Sequence, residues 1–128
     1  MKPLSILLVD DSLLTIKKLR KMLEGLGHHI VGTASTGEQA IQEHHRLHPD
    51  LVTMDITMPD MDGIEATRRI LEIDPEAVII MVTSHGQEQM VMDAIDAGAK
   101  GYVLKPVKQD KLSEYLDSVV EKYVSPKL

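Results

Sequence analysis

A chain of 128 residues has the size of one domain with a single core, and 43% hydrophobic with 27% charged residues excludes a disordered segment. The absence of Cys excludes a disulfide frame, a thiolate zinc site and a redox couple, and apolar runs of only about six residues exclude a membrane-spanning helix. A net charge of −6, with no Phe or Trp and three Tyr, leaves neither an electrostatic footprint nor a stacking platform for nucleic acid, and disfavours an anionic membrane surface.

The chain alternates short β-like runs with amphipathic stretches. Residues 4–9 form the first run, ending in Asp10-Asp11. From Ser12, a candidate N-cap, the apolar spacing changes to Leu13, Ile16, Leu19, Met22, Leu23 and Leu26, a helical stripe stopped by Gly25 or Gly27. Residues 30–34 are the second strand. Ala40, Ile41, His44 and Leu47 line the next helix, which His48-Pro49 ends. Residues 51–54 are the third strand, followed by Asp55. Ile64, Ala66, Thr67, Ile70 and Leu71 mark the third helix. Residues 77–82 are the most apolar run, as expected of a strand covered on both faces. Val91, Ala94 and Ile95 carry a fourth helix that stops at Gly98. Residues 101–104 are the last strand, and Leu112, Tyr115, Leu116, Val119 and Tyr123 form the last helix.

Five strand–helix units in succession predict an α/β fold in one domain, residues 1–128: a five-stranded parallel sheet, doubly wound, with helices on both faces. Ligands of such sheets bind beyond the carboxyl ends of the strands. Asp10, Asp11, Asp55, Thr83 and Lys105 all fall at predicted strand ends, so residues distant in sequence converge on one edge. Carboxylates a few ångströms apart repel by about 4 kcal/mol per pair at an effective dielectric near 20. Positive charge must offset this: Lys105 supplies part, and a hard oxygen-seeking cation such as Mg²⁺ would supply the rest.

These residues in this order resemble the receiver domain of bacterial two-component response regulators, over the whole chain. The marks are Asp10-Asp11-Ser12, the stretch Met54-Asp55-Ile56-Thr57-Met58-Pro59-Asp60-Met61-Asp62-Gly63, Thr83-Ser84 and Lys105-Pro106. Within the family, Gly86-Gln87-Glu88-Gln89-Met90-Val91 looks most like the stand-alone chemotaxis regulators, the CheY type. The resemblance implies a flavodoxin-like fold with strand order 2-1-3-4-5. It implies Asp55 as phosphoacceptor, taking a phosphoryl group from a histidine kinase. It also implies Asp11, Asp55 and the Thr57 carbonyl as direct Mg²⁺ ligands, with Asp10 acting through water and Mn²⁺ able to substitute. Lys105 and the Thr83 hydroxyl would bind phosphoryl oxygens, and Lys105-Pro106 would be a cis peptide. Thr57 and His85 occupy the positions that tune phosphoryl lifetime, and Tyr102 the aromatic switch position.

Each residue alone has a plainer reading. Asp10 and Asp11 suit a helix N-cap region, Asp55 a turn before Pro59, Thr83 a strand end and Lys105-Pro106 an ordinary loop. Their joint placement at four strand ends favours the site. His44, His45 and His48 have helical metal-ligand spacing, yet no acid or Cys completes a set and His44 lies on the apolar stripe, so a partly buried His44 with solvated neighbours is expected. The Met residues between Met54 and Met92 fill the core of a Phe-free chain, with Met90 or Met92 left facing outward.

The resulting expectation is a phosphorylation-driven binding switch in the cytoplasm, with no leader segment. Its output partner would be a flagellar motor switch protein, a kinase docking domain or a phosphatase, with no nucleic acid and no membrane. It would be a monomer that can dimerise on phosphorylation. The contact face would carry Met90 or Met92, Tyr102, Lys108, Lys111 and Tyr115. Two other readings compete: a receiver cut from a longer regulator with a DNA-binding or catalytic output domain, and a Mg²⁺-dependent phosphohydrolase with an aspartate nucleophile. The second class carries another acid two residues after the nucleophile, where Thr57 stands. A nucleotide-binding module lacks both a Gly-rich fingerprint and a P-loop.

Overall fold

The structure, a computed structural model, describes residues 2–124. Strands β1 (Ser5–Val9), β2 (His29–Ala34), β3 (Leu51–Met54), β4 (Ile79–Thr83) and β5 (Gly101–Leu104) alternate with helices α1 (Leu13–Gly25), α2 (Gly37–Leu47), α3 (Gly63–Ile73), α4 (Glu88–Asp96) and α5 (Gln109–Tyr123). The strands are all parallel in the order β2-β1-β3-β4-β5, so the order reverses between β1 and β3. The fold is the expected flavodoxin-like one.

Period-two alternation divides the core into two layers. Leu7, Val9, Val52, Met54, Ile79 and Met81 face α2, α3 and α4, packing with Ala40, Ile64, Ile70 and Ala94. Ile6, Leu8, Leu51, Ile80 and Val82 face α1 and α5, packing with Ile16, Leu19, Leu23, Leu112, Leu116 and Val119. Each fully buried Leu or Ile contributes about 1.5–3 kcal/mol relative to exposure, and this pattern on both faces of the central strands fixes their register.

Local signals end the helices where the sequence expects. Ser12 caps α1, accepting from the Thr15 N–H at 3.3 Å. The helix ends at Gly25, with Gly27 beyond it at φ 92°. His48 closes α2 in the left-handed region at φ 44°, just before Pro49.

Several expectations shift. The second strand starts one residue early, at His29, because its N–H bonds the Leu4 carbonyl at 2.9 Å. The fourth starts at Ile79 and takes in Thr83, whose carbonyl accepts the Lys105 N–H at 2.8 Å, leaving Ala77 and Val78 as a buried lead-in. Leu13 and Ile95 do not belong to covered stripes: they are 69% and 49% exposed. Leu13 opens α1 beyond the carboxyl end of the sheet, so the buried stripe starts at Ile16. Helix α4 packs on α3 and the edge strand β5 and buries only Ala94. His44 is more enclosed than expected, 3% exposed, while His45 and His48 are exposed. Of the methionines, Met54 and Met81 are fully buried, Met90 packs against the core and Met92 faces outward.

Candidate functional site

The carboxyl ends of β1 and β3 lie side by side at the point where strand order reverses. Asp10 follows β1 and its N–H bonds the Ala34 carbonyl at 3.0 Å; Asp55 follows β3 and its N–H bonds the Val9 carbonyl at 2.9 Å. The ladder thus continues one residue past each strand and fixes both backbones. Asp10 is 3% and Asp55 7% exposed, while Asp11 is open to solvent. One carboxylate oxygen from each of Asp10, Asp11 and Asp55 falls within 4.8 Å of the others, and among the described residues no other group of three or more His, Asp or Glu gathers this way. The histidines of α2 therefore do not form a metal site.

Lys105 reaches this cluster from the end of β5. Its Nζ lies 2.8 Å from Asp10 Oδ2 and 3.7 Å from Asp55 Oδ1, so Asp10 is its tighter partner. Asp10 Oδ1 also accepts the Ser12 N–H at 2.8 Å, and Asp55 Oδ1 accepts the Ile56 N–H at 2.9 Å. Burial raises the Asp55 carboxyl above the ordinary carboxylate range. The charge on Asp10 and, less, that on Asp11 add to this rise, against the opposing pull of Lys105 and the Ile56 N–H. One ammonium for three acids leaves negative charge uncompensated. An all-oxygen set with excess negative charge and one open, solvated member fits a hard divalent cation such as Mg²⁺.

The loop after Asp55 is held at both ends. Gly63 N–H donates to the Ile56 carbonyl at 2.7 Å, and a Cβ at Gly63 would sit 1.9 Å from the Asp55 carbonyl oxygen, so only glycine permits this approach. Asp62 caps α3 through the Glu65 N–H at 2.8 Å. The Asp60 carboxylate accepts the Gly37 and Glu38 N–H groups at 2.8 and 2.9 Å, tying the loop to the start of α2. Those two N–H groups hold the Asp60 carboxyl below its usual range.

Thr83 is fully buried at the end of β4, its hydroxyl accepting the His85 N–H at 3.2 Å. The exposed Thr57 Oγ1 meets His85 Nε2 at 2.8 Å. Tyr102 is half-buried; its hydroxyl donates to the His85 carbonyl, and its N–H donates to the Tyr115 hydroxyl at 2.8 Å. Burial raises the Tyr102 phenol above its ordinary value. Lys105-Pro106 is cis. Asp10, Asp11, Asp55, Thr57, Thr83, His85, Tyr102 and Lys105 therefore fall on this edge or on the adjoining face of β5, while His44, His45 and His48 lie apart on α2 and its C-cap. Tyr102, Leu104, Pro106, Lys108, Lys111 and Tyr115 line a shallow hollow of about 290 Å³. Sequence reasoning took Leu104 as an ordinary strand residue; at 51% exposed it belongs to this outer face. Asp60 was also missed, since nothing in an acidic turn residue announces partners 22 and 23 positions away.

Comparison with known proteins agrees with this geometry. The response regulator receiver domain profile matches residues 6–117. Chemotaxis protein CheY of Thermotoga maritima is 41% identical over 89% of this chain and 95% of its own length. Its namesake from Bacillus subtilis is 44% identical over 90% and 96%. The solved CheX–CheY–BeF₃–Mg²⁺ complex from Borrelia burgdorferi includes a chain that superimposes with a TM-score of 0.89 at 39% identity, covering 91% of this chain and 89% of that one. With a buried aspartate in an acidic, lysine-flanked cluster at the switch point of the sheet, the chain belongs to the response regulator receiver family and is of the CheY kind, a phosphoacceptor switch rather than an enzyme.

Proposed function

We propose that Asp55 is the phosphoacceptor, and that the whole chain works as one receiver unit whose surface changes when Asp55 is modified. The single observation that carries this is the buried Asp55 carboxylate sharing its site with Asp10, Asp11 and Lys105. An Asp55 oxygen attacks the phosphorus of a phosphohistidine on a partner kinase. The P–N bond breaks, its electron pair returns to the imidazole, and an acyl phosphate forms on Asp55. Such transfer is mostly positioning and charge neutralisation. Bound Mg²⁺ would offset charge on the phosphoryl oxygens. Asp11, Asp55 and the Thr57 carbonyl would hold it directly and Asp10 through water, with Mn²⁺ as a substitute. Lys105, now paired with Asp10, would extend to a phosphoryl oxygen, and Thr83 would donate its hydroxyl hydrogen to another.

Thr83 and Tyr102 form the switch in this reading, and Thr57 with His85 sets the lifetime of the acyl phosphate. The output is a change in affinity for a protein at the face of α4, β5 and α5, where Met92, Tyr102, Leu104, Lys108, Lys111 and Tyr115 mix apolar, aromatic and basic groups. The partners are a histidine kinase and a chemotaxis output protein such as a flagellar motor switch protein or a phosphatase. The Borrelia relative solved with CheX supports a protein partner. The setting is the cytoplasm, and the resting state a monomer that can dimerise on phosphorylation. Among the described residues no helix is long and apolar enough to cross a membrane.

Incubation with acetyl phosphate and Mg²⁺ tests the assignment: intact mass should rise by one phosphate, and Asp55→Asn should abolish the gain. Unchanged labelling in that variant overturns it. Thr83→Ala should still label but lose the gain in partner affinity, about tenfold or more for a coupling of about 1.4–3 kcal/mol.

A further inference from the structure

His85 contacts three separate parts of the molecule through three different groups. Its N–H donates to the Thr83 hydroxyl, its carbonyl accepts from the Tyr102 hydroxyl, and its Nε2 meets the Thr57 hydroxyl. Thr57 stands two residues beyond Asp55 on the β3–α3 loop. Tyr102 stands on β5, at the face proposed for output. The intervening stretch, residues 84–87, has no strand or helix ladder of its own, and Gln87 at the start of α4 makes no side-chain cap. The position of the His85 carbonyl therefore depends on what holds the rest of His85.

We propose that His85 is a positioning residue that couples the side chain of Thr57, beside the phosphoacceptor, to the ring of Tyr102 on the output face. The Thr57–His85 side-chain bond fastens the β4–α4 loop to the β3–α3 loop and so sets the carbonyl that Tyr102 grips. The functional meaning of this coupling rests on the reading of Asp55 as phosphoacceptor; the coupling itself does not. A hydroxyl has one hydrogen to give and two lone pairs to receive with. Thr83 can thus keep the His85 N–H while turning its own hydrogen toward a phosphoryl oxygen, and His85 would move with it. Thr57 and Thr83 then act on His85 from two sides, and Tyr102 follows the residue they share. The Tyr102 phenol, protonated at neutral pH, is a donor suited to gripping a carbonyl.

The coupling is readable without metal or phosphate. In the unphosphorylated, metal-free full chain, the ring resonances of ¹³C-labelled tyrosine are assigned by Tyr102→Phe and compared among variants. Thr57→Val removes only the hydroxyl, at an exposed position that leaves folding intact. His85→Ala removes the imidazole but keeps the carbonyl that Tyr102 uses. Both should displace the Tyr102 ring signals in the same direction and by comparable amounts, with no further change in the double variant. Thr57→Ser, which restores the hydroxyl, should resemble the parent, and Tyr123 should not respond. A Tyr102 signal untouched by Thr57→Val, or effects of the two changes that simply add, would overturn the proposal. In acetyl phosphate-labelled protein, the same two changes should alter the half-life of the acyl phosphate non-additively. Failure of the parent to label would defeat the phosphoacceptor reading while leaving the tyrosine result to judge the coupling.

Discussion

The two ends of this sheet solve the problem of strand ends in opposite ways. At the amino end, polar groups close on one another. The Ser5 N–H donates to Asp50 Oδ2 at 2.9 Å, the Asp50 N–H returns to the Ser5 carbonyl and hydroxyl at 2.8 and 2.9 Å, and the Leu4 N–H donates to Nδ1 of the buried His28 at 3.0 Å. At the carboxyl end, three acids share one lysine, and burial raises the Asp55 carboxyl above its usual range. One end is satisfied by the chain itself and contributes to stability. The other holds charge that only a cation and a phosphoryl group would balance, and it gives up stability to do so. The receiver's chemistry sits at the end the fold leaves incomplete.

The largest expected effect breaks the carboxyl end sterically. Gly63→Ala would drive a Cβ into the Asp55 carbonyl and should cost about 3 kcal/mol in urea denaturation; a loss below about 1 kcal/mol would show the loop can yield. Next, His28→Ala takes away the acceptor for the Leu4 N–H at the amino end. Leaving that buried donor unpaired should cost about 2 kcal/mol, measured the same way.

The two ends should also respond oppositely to pH. Burial lowers the His28 pKa below 6.5, so the unfolded chain takes up a proton before the folded one. Stability from this group is full above about pH 6.5 and is lost as pH falls toward the folded pKa. Asp55, raised above the ordinary carboxylate value of 3.8, does the reverse: the unfolded chain loses its proton first, so stability falls as pH rises from 3.8 through the folded pKa. In chelator, Asp55→Asn should therefore be more stable than the parent at neutral pH, with the difference vanishing below the carboxylate range. NMR titration should find the His28 midpoint below that of a free imidazole. Equal stabilities of parent and Asp55→Asn at neutral pH would remove the contrast.

The smallest effect lies between the ends. Thr53 Oγ1, buried in the middle of β3, has no hydrogen-bond partner. Thr53→Val should gain about 1 kcal/mol, since the methyl replaces a desolvated hydroxyl of the same shape. Destabilisation instead would point to a buried water on that hydroxyl.

How much of this was legible in sequence follows from the range of each interaction. Asp10, Asp11, Asp55 and Lys105 could be read because each ends an apolar run, and parallel strands with helical crossovers bring such ends together. The caps at Ser12 and His48-Pro49 are local, and were read correctly. The strand order came from resemblance, because alternation of elements alone does not order a sheet. Leu13 and Ile95 were misread because periodicity gives the face of a helix but not whether a neighbour covers it at that height. Asp60 and the Thr57–His85–Tyr102 chain depend on partners far apart in sequence, three of them backbone groups, and such contacts leave no pattern in residue types.

Thermal melting in Mg²⁺ tests the central claim most directly, because an ion that binds only the folded carboxyl end must stabilise it. With Mg²⁺ at ten times its dissociation constant, the parent should gain about 1.4 kcal/mol and melt several degrees higher. Asp11→Ala, with one acid fewer, should start more stable in chelator and gain little from the ion. A melting temperature of the parent that does not move with millimolar Mg²⁺ would contradict the account.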